Sequence, residues 1–262
     1  MLFSFFSLFI YISKNGFKIY FNNKYYYKRY YGTNIQGETN IIKELNEIAV
    51  NTVGAVPNYP VMEGNNMNNK IILIIYDSKN NKPIATNILY YFYYNTDLIV
   101  HLGLFLVDKN YQRKGLQSYL TAINIILFFI EKFFCSFFFI DIGRSATAFK
   151  QLDNRQTIYP SLKNKVSLNF KNKATDIAEK LYTTYAIIDS GVSTKSNFVK
   201  ETMVIKDANI KEGGGFFQLV DNKESRKSKS NEYNKYIENT CDNFDGLIIV
   251  GKFSIFKIIA NM

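Results

Sequence analysis

The feature that most constrains this chain is the run from Ile71 to Val107. It holds three apolar segments, "IILIIY", "IATNILYYFYY" and "LIVHLGLFLV", rich in β-branched and aromatic residues. The linkers are "DSKNNKP" and "NTD", polar and too short for a crossover. Strands joined this tightly form an antiparallel meander. The expected strands are Ile71–Tyr76, Ile84–Tyr94 and Leu98–Val107.

Past Val107 the periodicity switches from strand to helix. Leu116, Leu120, Ile123, Ile126, Leu127 and Ile130 recur at helical spacing, which predicts a helix over 116–134. Phe137–Ile142 reads as a short buried strand. Ser145 is placed to cap a helix over Ala146–Leu152. A strand–helix–strand unit of this length favours a parallel pair, so the sheet is expected to be mixed and flanked by helices, in the α/β (α+β) class. Upstream, "IIKELNEIAV" is a second helix, with Thr39 as its expected N-cap. Downstream, a helix is expected over Ala174–Tyr185. Strands are expected at Phe198–Ile205, Phe216–Val220 and Leu247–Ile259, and "DNKESRKSKSNE" reads as a solvated loop.

Composition narrows the classes. With 47% hydrophobic residues in 262, the chain buries a real core. Its net charge of +10 suggests a polyanion partner, yet no clustered basic motif or nucleic-acid module is present, so nucleic-acid binding is the weakest of the function classes. The enriched Lys, Asn, Ile, Phe and Tyr have A/T-rich codons, so genome bias alone yields this charge. Two cysteines cannot build a disulfide framework, which points to a reducing, cytoplasmic setting. No Cys/His cluster has metal-ligand spacing, so no metal is expected. Residues 1–30 form an apolar, aromatic segment ahead of a single domain over 31–262, whose core spans about 71–160 and whose C-terminal elaboration spans 161–262. The opening apolar run stops at Lys14, short of the roughly 20 residues a membrane span needs. It reads as a strand, a partner-binding segment or an upstream-start artefact, with membrane association through residues 1–13 as the alternative.

The chemistry concentrates in "VDKNYQRKGLQSYL", between the third strand and the long helix. Backbone N–H groups cluster at a helix start and favour an anion there. A glycine permits close approach, and Arg113 and Lys114 add positive charge. The loop is neither a Walker loop nor a dinucleotide fingerprint. Read by itself, it is also compatible with a basic loop that simply starts a helix.

The order of elements, and Gln112, Gly115 and Gln117 in the positions of [Gln/Arg]-x-x-Gly-x-[Gly/Ala], resemble the GNAT superfamily of acyl-CoA-dependent N-acyltransferases. The resemblance covers Ile71–Leu152 by organisation and Leu104–Leu120 by motif. It implies acetyl-CoA as co-substrate and acetyl transfer to the amine of a small molecule or protein. It also implies a pantetheine arm bonded by the backbone of Phe105, Leu106 and Val107. The pyrophosphate would be held by the loop and helix start: Gln112, Arg113, Lys114, Gly115, Leu116, Gln117 and Ser118. His101 falls where one branch of the family carries a glutamate base, and a pKa near roughly 6.5 suits that role. By strand alternation His101 shares a face with Gly103, Phe105 and Val107, and Gly103 is expected to leave room for substrate. Tyr159 is the candidate acid, since Leu152 stands near the place of the family's tyrosine. Asp141 and Arg144 are expected to form a local ion pair or cap. Gln117 departs from the family's Gly/Ala, and with Leu152 it motivates the alternative of a binding protein without turnover.

Overall fold

The computed structural model describes residues 19–21, 24–57, 59–132, 137–143, 145–186, 196–208, 228–242 and 245–253. They fall into two compact units: residues 1–92 with 102–135, and residues 93–101 with 136–262.

The first unit opens with β1 (Ile19–Phe21) and β2 (Tyr25–Tyr31), then a single helical turn and α1 (Thr39–Val53). β3 (Lys70–Asp77), β4 (Pro83–Tyr94), β5 (Asp97–Val107) and α2 (Leu116–Glu131) come next. Strand order is β1-β2-β3-β4-β5, and β1–β2, β2–β3 and β3–β4 pair antiparallel. β3 is buried from Lys70 to Tyr76, and strand alternation explains why. Leu73 and Ile75 meet Leu116, Leu120 and Leu127 of α2 in one apolar cluster with Tyr27, Ile84 and Val107. Tyr76, of opposite parity, donates to Glu44 of α1 at 2.6 Å. Helices on both faces account for a strand that is apolar on both faces.

The second unit contains the first residues of β5, then β6 (Phe137–Gly143), α3 (Ala146–Arg155), β7 (Thr157–Tyr159) and α4 (Leu168–Leu181). It continues through β8 (Asn197–Val199), β9 (Val204–Lys206), α5 (Asn231–Thr240) and β10 (Gly246–Lys252). Strand order is β5-β6-β10-β9-β8, with β7 on β10. The β5–β6 pair is parallel, as the connection length required; the other pairs are antiparallel. The sheet is therefore mixed. Ser145 caps α3 by accepting from the Ala148 N–H at 3.2 Å.

Several expectations change. Thr39 is the first helical residue of α1; Glu38 is the N-cap and makes no side-chain cap bond. α2 ends at Glu131. Its buried stripe runs Leu116, Leu120, Asn124, Leu127, Phe128, while Ile123, Ile126 and Ile130 are only half-buried. α4 begins at Leu168, where Ser167 accepts from the Phe170 N–H, and gives way after Leu181 to a π turn over Tyr182–Ala186. Phe198–Ile205 is a hairpin, because the chain turns through Lys200–Met203 with Met203 at φ +59°. The polar stretch read as loop runs into α5 at Asn231. Cys135, Arg144, Phe216–Val220 and the chain beyond Phe253 lie outside the described residues.

One carboxylate organises the middle of the second unit. Asp153 of α3, 1% exposed, accepts from the Leu162 and Lys163 N–H groups at 2.9 and 3.1 Å. It also accepts from Ser161 Oγ and from Tyr233 Oη of α5 at 2.8 Å. Asp153→Asn turns an amide N–H₂ toward donors, and we expect it to lower stability by about 2–3 kcal/mol in urea unfolding.

Candidate functional site

The loop after β5 is fixed at its near end by side chains and left open at its far end. Leu106 and Val107 are buried at the close of β5, and Phe105 packs half-buried against the cluster that holds Leu116. Asp108 is 1% exposed. Its backbone N–H donates to the Ile84 carbonyl, and its carboxylate accepts from the Asn110 N–H at 2.9 Å and Lys82 Nζ at 3.0 Å. Tyr111 Oη donates to Asp77 Oδ2 at 2.7 Å. That bond holds the Asp77 carboxyl below the usual carboxylate range and raises the Tyr111 phenol to about 12. The sequence pattern did not single out these anchors. Asp108 carried a visible signal, since an Asp two residues ahead of an N–H donor is a turn-forming residue.

Beyond Tyr111 the chain changes character. Gln112, Arg113, Lys114 and Gly115 are exposed. Arg113 has φ +62° and Gly115 φ +74°, so two left-handed residues flank Lys114. Gly115 is the N-cap of α2, and among the described residues no side chain caps that helix start. A Cβ at Gly115 would meet nothing within 4 Å, so the glycine serves the backbone angle rather than relieving a clash. A helix start reached through left-handed residues and flanked by two exposed cations has the physical character that favours a nearby anion. Lys114 Nζ rests 4.6 Å from the Tyr111 ring centroid.

The ten residues proposed for cofactor binding thus lie on one contiguous stretch of the first unit, with different parts to play. Gln112 Nε2 donates to the Val107 carbonyl at 3.0 Å, so the signature glutamine ties the loop back to β5 and engages one backbone acceptor there. Leu116 is buried, leaving only its backbone to face a ligand. The α2 backbone covers Gln117 and Ser118, whose side chains lie outside the described residues.

His101 and Tyr159 belong to the second unit. His101 forms the last pair of the described β5–β6 ladder, opposite Ile140. The row continues from Ile140 to Val250 of β10 and from Val250 to Tyr159 of β7. Three strand spacings put the two Cα atoms about 14 Å apart, with Ile140 and Val250 between. The structure therefore aligns these residues in one row without bringing them together. Burial lowers the His101 pKa to about 4, in place of the expected value near 6.5, because a charged imidazole is poorly solvated there.

Gly103 does not open a gap. It has φ +55°, and a Cβ there would lie 1.8 Å from the Ile88 carbonyl oxygen of β4. The space is filled by neighbouring backbone, and the irregular angle breaks the two-residue alternation that grouped His101 with Phe105 and Val107. Asp141 of β6 sits opposite Ile249 of β10, and burial raises its carboxyl to about 6. Among the described residues no three His, Cys, Asp or Glu side chains gather as metal ligands, and no helix is long and apolar enough to cross a membrane.

No protein-family model matches the chain, and no curated protein matches it. Solved structures do. An aminoglycoside acetyltransferase, meta-AAC0020, from an uncultured soil metagenomic sample is 22% identical, over 45% of this chain and 78% of that one, with a TM-score of 0.32. The NatC complex bound to Gag peptide and CoA aligns at 17% identity, 50% and 80% coverage and a TM-score of 0.34. The ribosomal-protein-S5-alanine acetyltransferase of Vibrio fischeri aligns at 15% identity, 54% and 85% coverage and a TM-score of 0.37.

Proposed function

We propose that this protein is a GNAT-type N-acetyltransferase that transfers the acetyl group of acetyl-CoA to a primary amine. The observation that carries the reading is the exposed start of α2 at Gly115, reached through a left-handed Arg113 in the loop that follows β5. In this reading the N–H groups from Arg113 to Gln117 bind the pyrophosphate, and the backbone of Phe105, Leu106 and Val107 runs along the pantetheine arm. The amine nitrogen attacks the thioester carbon, the C–S bond breaks, and the thiolate leaves and takes up a proton. His101 is the group we assign to accept the proton of the attacking amine; Tyr159, the candidate acid, stands three strands from it, so in this reading the thiolate takes its proton from water. The acceptor is an amine-bearing small molecule or a protein amine. A reducing cytoplasm suits a chain with only two cysteines, of which Cys241 is buried. The burial of His101 favours one second reading, a CoA-binding protein without turnover; release of free CoA across an amine panel separates the two.

Acetyl-CoA at about a hundredfold excess over its Kd should raise the melting temperature by roughly 5 °C or more. Because only the backbone angle constrains position 115, Gly115→Asn should keep this shift. Gly115→Val, at a cost of about 1–2 kcal/mol in the left-handed region, should lose it. Absence of any shift with the wild-type protein at millimolar acetyl-CoA would sink the acetyltransferase reading.

His101→Gln should reduce turnover while acetyl-CoA binding stays. With a folded pKa of about 4, His101 is neutral throughout pH 6 to 9, so turnover there should rise with pH only as the acceptor amine deprotonates. The same shift bears on stability. The folded pKa lies below the unfolded one, so the contribution is full above about 6.5 and is lost as pH falls toward about 4. His101→Gln should flatten that acid limb in melting curves.

Asp141 has the opposite sign. Its folded pKa of about 6 lies above the unfolded value, so its contribution is favourable below about 4 and is lost as pH rises through about 6. Asp141→Asn should therefore raise the melting temperature at pH 7 and leave it unchanged below about pH 4.

A further inference from the structure

A chain of buried polar groups crosses the face of the first unit that α2 covers. Arg29 of β2, Leu73 of β3 and Asn87 of β4 lie opposite one another in register, so all three face α2. Asn124 of α2 sits over Leu73 and bridges the two polar ends of this row. Arg29 Nε donates to Asn124 Oδ1 at 3.1 Å, and Asn124 Nδ2 donates to Asn87 Oδ1 at 3.1 Å. Asn87 Nδ2 then donates to the Leu102 carbonyl of β5 at 3.3 Å. Arg29, Asn124 and Asn87 are 1%, 0% and 1% exposed.

The direction of every bond is fixed from one end. A guanidinium has no acceptor, so Asn124 must turn its oxygen to Arg29 and its N–H₂ to Asn87. Asn87 must then offer its oxygen to Asn124 and its N–H₂ outward. The final acceptor is a backbone carbonyl, which cannot donate. No amide in the chain can flip without stranding a buried donor or acceptor. Arg29 is in turn held by two bonds to Glu131, at 2.5 and 3.0 Å, and Tyr31 donates to the same carboxylate.

The relay ends on the residue before Gly103, where β5 departs from regular geometry and the Ile88 carbonyl, next to Asn87, comes closest. A strand irregularity of this kind locally disrupts the ladder and bends the strand. The Asn87 side chain of β4, itself held by Asn124 of α2, gives the strand a fixed point there.

We propose that Arg29, Asn124 and Asn87 are positioning residues that set the backbone of β5 from Leu102 onward against helix α2. This rests on the acetyl-CoA reading. There, α2 presents the pyrophosphate loop and β5 from Phe105 to Val107 presents the pantetheine track, so the relay fixes the register between the two halves of one cofactor site. Cofactor length is fixed, so a slip between the halves costs the pantetheine contacts and leaves the pyrophosphate contacts intact.

Asn87→Asp tests this directly. The carboxylate still accepts from Asn124 but cannot donate to Leu102. Asn124→Asp is the second variant: its carboxylate faces the Arg29 guanidinium but cannot donate to Asn87, and thermal melting checks that each variant is folded. The probes are acetyl-CoA and ADP, the latter carrying a pyrophosphate and no pantetheine. We expect the Kd for acetyl-CoA to rise at least tenfold in both variants while the Kd for ADP stays within twofold. Backbone hydrogen exchange should speed up over Gly103–Phe105 and not over the loop at 112–116. Folded variants that bind acetyl-CoA as tightly as wild type, or that lose acetyl-CoA and ADP equally, would overturn the relay's role and leave the acetyltransferase reading standing. A wild-type protein that binds ADP or nothing, and not acetyl-CoA, would overturn both.

Discussion

The buried pair of Arg29 and Glu131 is the constraint around which the first unit is arranged. A guanidinium and a carboxylate leave water together only when each is fully bonded, because an unpaired member costs several kcal/mol. Glu131 also closes α2, where the helix dipole disfavours an acid. Arg29 and Tyr31 of β2 both bond its carboxylate there. The far end of α2 is therefore pinned to the second strand, and the helix reaches back over the sheet at a set angle. The apolar stripe of Leu116, Leu120 and Leu127 supplies the adhesion. The ion pair supplies the register, which apolar packing alone specifies poorly.

This division recurs in the loop. Its first half, from Asp108 to Gln112, is tied down by short polar bonds. Its second half carries exposed charge and unusual backbone angles. A loop that binds, as proposed for this one, needs both, because a site held loosely loses affinity to ordering and a site with every N–H satisfied has none to offer.

Legibility in the sequence tracked local chemistry. The three strands and the parallel β5–β6 pair were readable because period, length and turn residues agree. The cap at Ser145 was readable because a hydroxyl before an apolar-periodic run has one common use. What escaped had its cause elsewhere in the fold. "YYYKRYY" alternates no clear apolar pattern, yet β2 pairs along β3 from Tyr25 to Tyr31. Asn124 broke an apolar helix in plain view, but its partners lie 37 and 95 residues away. Gly103 reads in the sequence as a missing side chain, whereas its use is a positive φ beneath a neighbouring carbonyl. A solution-like pKa is the natural expectation for His101 because burial is not a local property. For the candidate site, the loop's place between β5 and α2 was legible, and the side chains that anchor it were not.

The position of β10 has a consequence for how the chain is made. It is the partner of β6 along nearly the whole of that strand, but it is synthesised roughly a hundred residues later. Until it arrives, the apolar edge "FFFI" of β6 has one neighbour and an open row of backbone donors and acceptors. Such an edge recruits other chains. The β6 edge cannot be covered on the ribosome before Gly246–Lys252 emerges, and until then it is the kind of surface that holdase chaperones bind.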